Sequence, residues 1–469
     1  MNARARLIAA FAPALLAVGA CQPALQDAQS GIAISNVTVI DAVSGERTDQ
    51  TVLIDGDRIA AVGDSDSMYL SGSFEMIDGT GKFLIPGLWD MHVHLTYDER
   101  LVDFMPGLFI RYGITSVRDT GGLMPKLRPV VERMRAADAI APRVFFSGPL
   151  LDGEPVVYDG VNAVEVGIAS LTPAQAEANV ADLKAQGVDF IKIYEMVTPE
   201  VFDALIEAGR SYGLPIAAHV PLSMRASAAA PRVDSMEHLR NIVLDCVDDA
   251  QELLETRREY LDAGRERSGI DLRAALHRMQ RLDAIDALDW EVCGAVLGTM
   301  RNTIQVPTAR LSALKLFPVH ERGDWPAALA RMPPALVEEW SAPPAWMAAD
   351  PAFQDHRFGQ YMLDMIGRMR QAGVPIGAGT DTPLAHAIPG YSLHNELEIL
   401  VAAGLTPLEA LGAATVQPAA FFSLQDQMGA VAPGMRADLV LLRANPLSDI
   451  RNTRFIDRVI ARGRLMPTE

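Results

Sequence analysis

Leu84-Ile85-Pro86-Gly87-Leu88-Trp89-Asp90-Met91-His92-Val93-His94 decides how the rest of the chain is read. It is an apolar run closed by two histidines two residues apart. On an extended strand, residues two apart project from the same face, so both imidazoles converge and can share one metal ion. Two histidines ending a buried strand are costly without partners. From Phe83 onward, short apolar runs of this kind alternate with longer helical patterns, the rhythm of βα units around a parallel sheet. Runs ending at His94, Arg118, Ser147, Ile193, His219, His238, Pro307 and Thr380 supply eight strands. The sequence therefore predicts an α/β protein whose main body, residues 84–428, is a (β/α)8 TIM-like barrel.

The flanks have a different rhythm. Ala33–Ile40 and Thr51–Ile54 are short β-like runs, and Asp55-Gly56 is a hairpin signal before the return strand Arg58–Val62. β-like character comes back at Ala437–Leu442 and again from Phe455 to Leu465. Residues 31–83 and 429–469 are thus expected to build one small composite β-sandwich domain from both chain ends. Two helical insertions interrupt the barrel, at about 239–302 and 317–356. They hold Trp290, Trp325, Trp340 and Trp346, four of the five tryptophans. Insertions after strand C-termini overhang a barrel's active site. These tryptophans either form a lid there or pack the insertions' own small cores.

The chain has 469 residues and a net charge of -18, and no Lys/Arg run offsets it. Such an acidic surface argues against nucleic acid as a partner. Residues 1–20 read as a signal peptide: Arg4 and Arg6, an apolar stretch from Leu7 to Val18, then small residues. The run Leu16-Ala17-Val18-Gly19-Ala20-Cys21 resembles a bacterial lipobox, which would make Cys21 the lipidated mature N-terminus and residues 21–30 a tether. Contact with a membrane would then be through the lipid anchor only. With Gln22 after the cysteine, the resemblance implies an exported protein of the bacterial envelope, held at the outer membrane and facing the periplasm. Cys246 and Cys293 remain, either paired or as free buried thiols. No Cys-x-x-Cys exists, which argues against a thiolate-rich zinc site.

Further candidates sit at other strand ends. Lys192 lies within Val188-Asp189-Phe190-Ile191-Lys192-Ile193-Tyr194, a cation in an apolar strand. It either snorkels outward or faces the interior neutralised, paired or modified. Its amine can react with carbon dioxide to give a carbamate whose two oxygens bridge two ions. His219 ends Leu214–His219, His238 ends Val233–His238, and Asp381 follows Val374–Thr380, whose small residues allow close backbone approach. Tyr194, two residues past Lys192, shares its face and either touches substrate or packs. Arg118 ends the second strand and is a candidate for binding a substrate carboxylate. The other five histidines, His277, His320, His356, His386 and His394, read as surface or packing residues.

Together these segments resemble the amidohydrolase superfamily in its binuclear form. The resemblance is carried by Gly87–His94, Gly379-Thr380-Asp381-Thr382, Gly404–Leu411 and Gly434–Val440, and spans roughly residues 31–469. Val188–Ile193 and Ser235–His238 resemble the branch of imidazolonepropionase-like enzymes and Xaa-Pro dipeptidases. Two departures stand out: a longer insertion after His238, and Ile193-Tyr194-Glu195-Met196 where a Gly-rich run is common. The resemblance implies two divalent ions, zinc by ligand type. His92, His94 and Asp381 would hold one, His219 and His238 the other, with carbamylated Lys192 bridging. It implies hydrolysis of an amide or peptide C–N bond by a metal-bridging hydroxide, with Asp381 as general base and acid. A dipeptide or N-acyl amino acid is the expected small-molecule substrate, and a homo-oligomer is compatible with the reading. Ester or lactone hydrolysis uses the same machinery. A non-catalytic envelope lipoprotein is the alternative from another class. Deamination is disfavoured by Lys192 and by Leu222, which stands where mononuclear deaminases carry Glu.

Overall fold

The computed structural model describes residues 30–70, 72–345 and 355–467. The expected signal peptide, Cys21, the tether and Trp346 lie outside the described residues. No helix among the described residues is long and apolar enough to cross a membrane.

The first strands are β1 (Ser30–Asp41), β2 (Gly45–Asp55), β3 (Arg58–Asp64), β4 (Ser73–Asp78) and β5 (Phe83–Pro86). Alternating apolar residues of β1 and β2 face one way, and Ile34, Val39, Val52 and Ile54 are buried with Leu84 beneath them. The next nine strands are short, and helices separate all but β8, β9 and β10, which follow one another directly: β6 (Leu88–Val93), β7 (Ile114–Asp119), β8 (Arg143–Phe146), β9 (Leu150–Asp152), β10 (Gly167–Ala169), β11 (Ile191–Ile193), β12 (Ile216–Ala218), β13 (Ser235–Glu237) and β14 (Ile304–Val306). The last are β15 (Leu439–Leu442), β16 (Ile456–Ala461) and β17 (Arg464–Leu465). β15 pairs antiparallel with β5, so both ends of the chain build one eight-stranded curled sheet in the order β17-β16-β15-β5-β1-β2-β3, with β4 beside β1.

The middle of the chain forms two parallel sheets. One runs β6-β7-β8 and the other β10-β9-β11-β12-β13-β14. Residues 375–382 connect them. Ile376 bridges Gln305 beside β14, and Thr382 bridges Val93 at the end of β6. On the other side, the Asp189 amide donates to the Phe146 carbonyl (2.9 Å) just ahead of β11. Close approach requires glycine here: a Cβ on Gly379 would lie 2.7 Å from Val306 Cγ1 and 2.9 Å from His92 Cβ. Seven of the eight expected strands coincide with β6, β7, β8 and β11–β14, whereas residues 374–380 make a single isolated bridge, at Ile376, and no ladder.

The outer helices start where sequence chemistry starts them. Thr172 and Thr198 each accept a hydrogen bond from the third residue onward, and each is followed by proline, an arrangement that satisfies a free backbone donor and presets φ. The first insertion is helical, at Ala250–Ala263, Gly269–Asp286 and Trp290–Gly298. Cys246 and Cys293 are joined in a disulfide across it.

Candidate metal centre

The ends of β6, β11, β12 and β13 and the loop at Asp381 meet in one place. His92, His94, Lys192, His219, His238 and Asp381 line a single small chamber. About 20 Å3 of it is open, room for a water-sized group.

Each histidine is held from outside by its Nδ1. His92 Nδ1 lies 2.7 Å from Glu237 Oε2, His94 Nδ1 3.1 Å from the Gly121 carbonyl, and His219 Nδ1 2.6 Å from Glu195 Oε1. His238 Nδ1 is 2.6 Å from Thr308 Oγ1, whose own hydroxyl donates to the Pro307 carbonyl at 2.8 Å. All four partners are acceptors. They fix the proton on Nδ1 and leave the Nε2 lone pair for a ligand, the arrangement that orients metal-bound imidazoles.

Asp381 closes the chamber. Its backbone is left-handed (φ 60°) and its amide donates to the His92 carbonyl (2.8 Å). Oδ1 sits 3.1 Å from His94 Nε2 and 3.4 Å from His92 Nε2. Burial raises the Asp381 pKa, but the neighbouring His92 and His94 outweigh it and bring it to about 2, so the carboxylate is ionised. Burial also lowers His219 to about 3 and His238 well below its usual range, which keeps both neutral and able to ligate. Ligand atoms of His92, His238 and Asp381 lie within 4.8 Å of one another. The His238 ring is 4.7 Å from both His92 and His219. His238 is thus equally near His92 and His219.

Lys192 faces inward. Its Nζ is fully buried without a hydrogen-bond partner, and its nearest carboxylate oxygen, Glu237 Oε1, is 3.8 Å away. Burial, opposed by Glu237, brings its pKa down from 10.5 to about 8. An orphaned buried amine beside four oriented imidazoles and a carboxylate fits a bridging role between divalent ions.

Two residues that sequence reasoning missed organise this set. Glu237 accepts from His92, Arg118 Nη2 (2.7 Å) and Ser235 Oγ (2.9 Å). Glu195 is shared by His219, His277 Nε2 (2.8 Å) and Arg240 Nη1 (3.1 Å), with Arg273 Nε at 3.2 Å. A carboxylate next to His238, and another three residues after Lys192, were the available signals. Arg118, expected at a substrate carboxylate, is instead buried below the chamber. It donates to the Met91 carbonyl (2.6 Å), and its guanidinium lies 4.6 Å from the Phe421 ring. Its reach is taken up by core partners. Tyr194 does wall the chamber, its ring 4.4 Å from His219.

Beyond the chamber opens a cleft of about 890 Å3. Tyr97, Tyr158, Arg240 and Leu384 line both spaces. Trp340 from the second insertion lies in the cleft wall, stacked on His386 at 4.9 Å. Trp325 packs against Tyr391 and Trp290 against Arg368, so these two do not belong to the cleft wall. His277 and His386, expected as surface or packing residues, face the cleft, whereas His394 is a packing residue held by Tyr112 and Thr453.

Residues 344–466 match the amidohydrolase family model. An imidazolonepropionase of Deinococcus deserti is 39% identical over 87 residues, 18% of this chain and 21% of that protein. Adenine deaminase 2 of Shouchella clausii is 31% identical over 84 residues, again 18% of this chain and 15% of that protein. The chain thus spans less than a quarter of the length of these curated relatives. In fold, a solved Xaa-Pro dipeptidase with methionine in its active site superposes with a TM-score of 0.63 at 20% identity, covering 93% of this chain and 99% of that one.

Proposed function

With residues 344–466 matching the amidohydrolase family model and nearly the whole chain sharing the fold of a solved Xaa-Pro dipeptidase, we propose that this protein is a metal-dependent hydrolase of a C–N bond in a small substrate. The observation that carries the reading is the orientation of four imidazoles by four acceptors around Asp381 and a Lys192 amine that has no hydrogen-bond partner. We read the two parallel sheets, closed through residues 375–382, as one (β/α)8 barrel over residues 84–428. Residues 31–83 and 429–469 form the accessory β-domain.

His92, His94, His219, His238, Asp381 and carbamylated Lys192 would hold two divalent ions, zinc by donor type. Bound there, the ions supply an acidified water and polarise the scissile carbonyl. Asp381, ionised and in contact with His92 and His94, accepts the water's proton at its carboxylate and returns it to the leaving nitrogen. Tyr194, Tyr158 and Tyr97 wall the site and exclude bulk water. Glu195 and Glu237 keep their histidines in one tautomer.

Deamination fits less well. Leu222 is buried in the apolar cluster that also holds Tyr194 and Leu150, where a deaminase would need a carboxylate. We further propose that the protein is exported and lipid-anchored through Cys21. The Cys246–Cys293 disulfide supports an oxidising compartment. A Cys21→Ser variant should leave the membrane fraction, and unchanged membrane association would reject the anchor.

The deciding experiment is reconstitution with Zn2+ and bicarbonate, metal analysis, and assay against dipeptides, N-acyl amino acids and lactones. Two bound ions with amide turnover are expected. Lactone turnover alone would move the activity to esters, and neither metal nor turnover would leave a binding scaffold.

A further inference from the structure

Resting on that reading, we propose that Arg240 and Arg273 form an anion-binding subsite where the outer cleft narrows into the metal chamber, and that it receives a carboxylate carried by the substrate.

Arg240 lies two residues past His238 and lines both cavities, whereas Arg273 belongs to the insertion helix Gly269–Asp286 and lines the outer one. Their side chains are only 19% and 12% exposed. Buried guanidiniums need counter-charge. Among the described residues, the ion-pair partner of both is the same carboxylate, Glu195. That carboxylate is already spoken for. Its Oε1 also takes His219 and its Oε2 takes His277. Oε1 thus faces three partners and Oε2 one, so a single carboxylate serves two guanidiniums and two imidazoles. Burial brings His277 down to about 4 despite Glu195, so at neutral pH it brings a proton to share but no charge. Two fixed positive charges thus face one negative charge at the neck of a cleft, in a chain whose net charge is -18.

The position suits an anion next to the scissile bond. The Arg273 guanidinium lies 5.7 Å from the Tyr194 ring, and that ring lies tilted 4.4 Å from His219. A carboxylate held by the two guanidiniums would sit about one ring's width from the metal ligands. The rest of the substrate would extend toward Trp340, Tyr97 and Pro343. A planar fork of donors matches a carboxylate in geometry as well as charge.

The test uses the full chain loaded with Zn2+ and bicarbonate, and pairs of N-acetyl amino acids with their C-terminal N-methylamides. The wild type should favour the acid over the N-methylamide by about ten- to a hundredfold in kcat/KM, the range expected for a charge-assisted contact. Arg240→Gln and Arg273→Gln should slow both members of each pair through Glu195 but the acid further, by raising its KM, so that the acid-to-N-methylamide ratio of kcat/KM falls toward one. If both members of each pair slow equally, the arginines only position Glu195 and the proposal falls. Should Arg273→Gln fail to fold by thermal melting, Arg240→Gln carries the test. Calorimetric titration with N-acetyl-L-phenylalanine and its N-methylamide separates the two readings. Acid-selective binding lost in Arg240→Gln without turnover keeps the subsite and rejects the hydrolase. Turnover without acid preference rejects the subsite alone, and neither turnover nor selective binding rejects both.

Discussion

His219 Nδ1 and Glu195 Oε1 lie 2.6 Å apart, both nearly free of solvent exposure, across two neighbouring strands. Burial alone would raise the Glu195 pKa, but Arg273 and His277 outweigh it and hold the carboxylate well below its usual range. The pair is thus an ionised acceptor under a neutral imidazole. Glu195→Gln keeps the shape and removes the charge. Metal affinity should fall about 10- to 100-fold, as when the outer partner of a metal-bound histidine is lost. A chelator competition measures it, and unchanged affinity would show that Glu195 does not tune the site.

Asp381 has φ 60°, a region asparagine tolerates and alanine does not favour. Asp381→Asn therefore separates chemistry from backbone strain. kcat/KM should drop about 10²- to 10⁴-fold, the worth of a positioned acid–base group, with the circular dichroism spectrum preserved. Activity close to wild type would remove Asp381 from the proton transfer.

Lys192 Nζ has no hydrogen-bond partner in a fully buried position. Lys192→Met fills nearly the same volume without a charge, so the fold should hold. Metal content should fall from two ions toward one per chain, and native mass spectrometry of the wild type should show an added carbon dioxide that the variant lacks. Two ions retained in Lys192→Met would contradict bridging.

The Cys246–Cys293 bond spans 47 residues and encloses two of the insertion helices. Its loss should cost roughly 2–4 kcal/mol, most of it through the unfolded chain. Urea unfolding with and without reductant checks this. Identical midpoints would mean that the crosslink adds nothing.

His394 is buried, with Nδ1 2.9 Å from Thr453 Oγ1 and Nε2 2.9 Å from the Tyr112 carbonyl. Burial lowers its pKa from 6.5 to about 3. Between those values the unfolded chain binds the extra proton, so stability falls as pH drops from 6.5 toward 3 and is level above 6.5. His394→Gln should flatten that slope in unfolding midpoints measured across the window. An unchanged slope would place the acid sensitivity elsewhere.

The six chamber residues were legible because each lies in or at the end of a short apolar run, a pattern written locally in the chain. Their supports were not. His92 and Glu237 are 145 positions apart, and His238 and Thr308 are 70 apart. Which acceptor meets which imidazole depends on the order in which strands neighbour one another, and no single run states that order. Arg118 shows the same limit. Its place at a strand end was readable, but the Phe421 ring and Glu237 that claim it come from distant segments. The outer cleft was hardest to foresee, since Trp340 joins it while Trp325 and Trp290 turn to other partners.

The pairing of β5 with β15 has a consequence for biosynthesis. β5 meets β1 early, but its other neighbour begins only at Leu439. Until then β5 is an open edge, a template for another chain. Contacts so distant in sequence also form slowly. A nascent polypeptide must keep that edge covered until Leu439–Leu442 arrive. A polypeptide stopped short of Leu439 would therefore yield an aggregating fragment rather than a smaller folded protein.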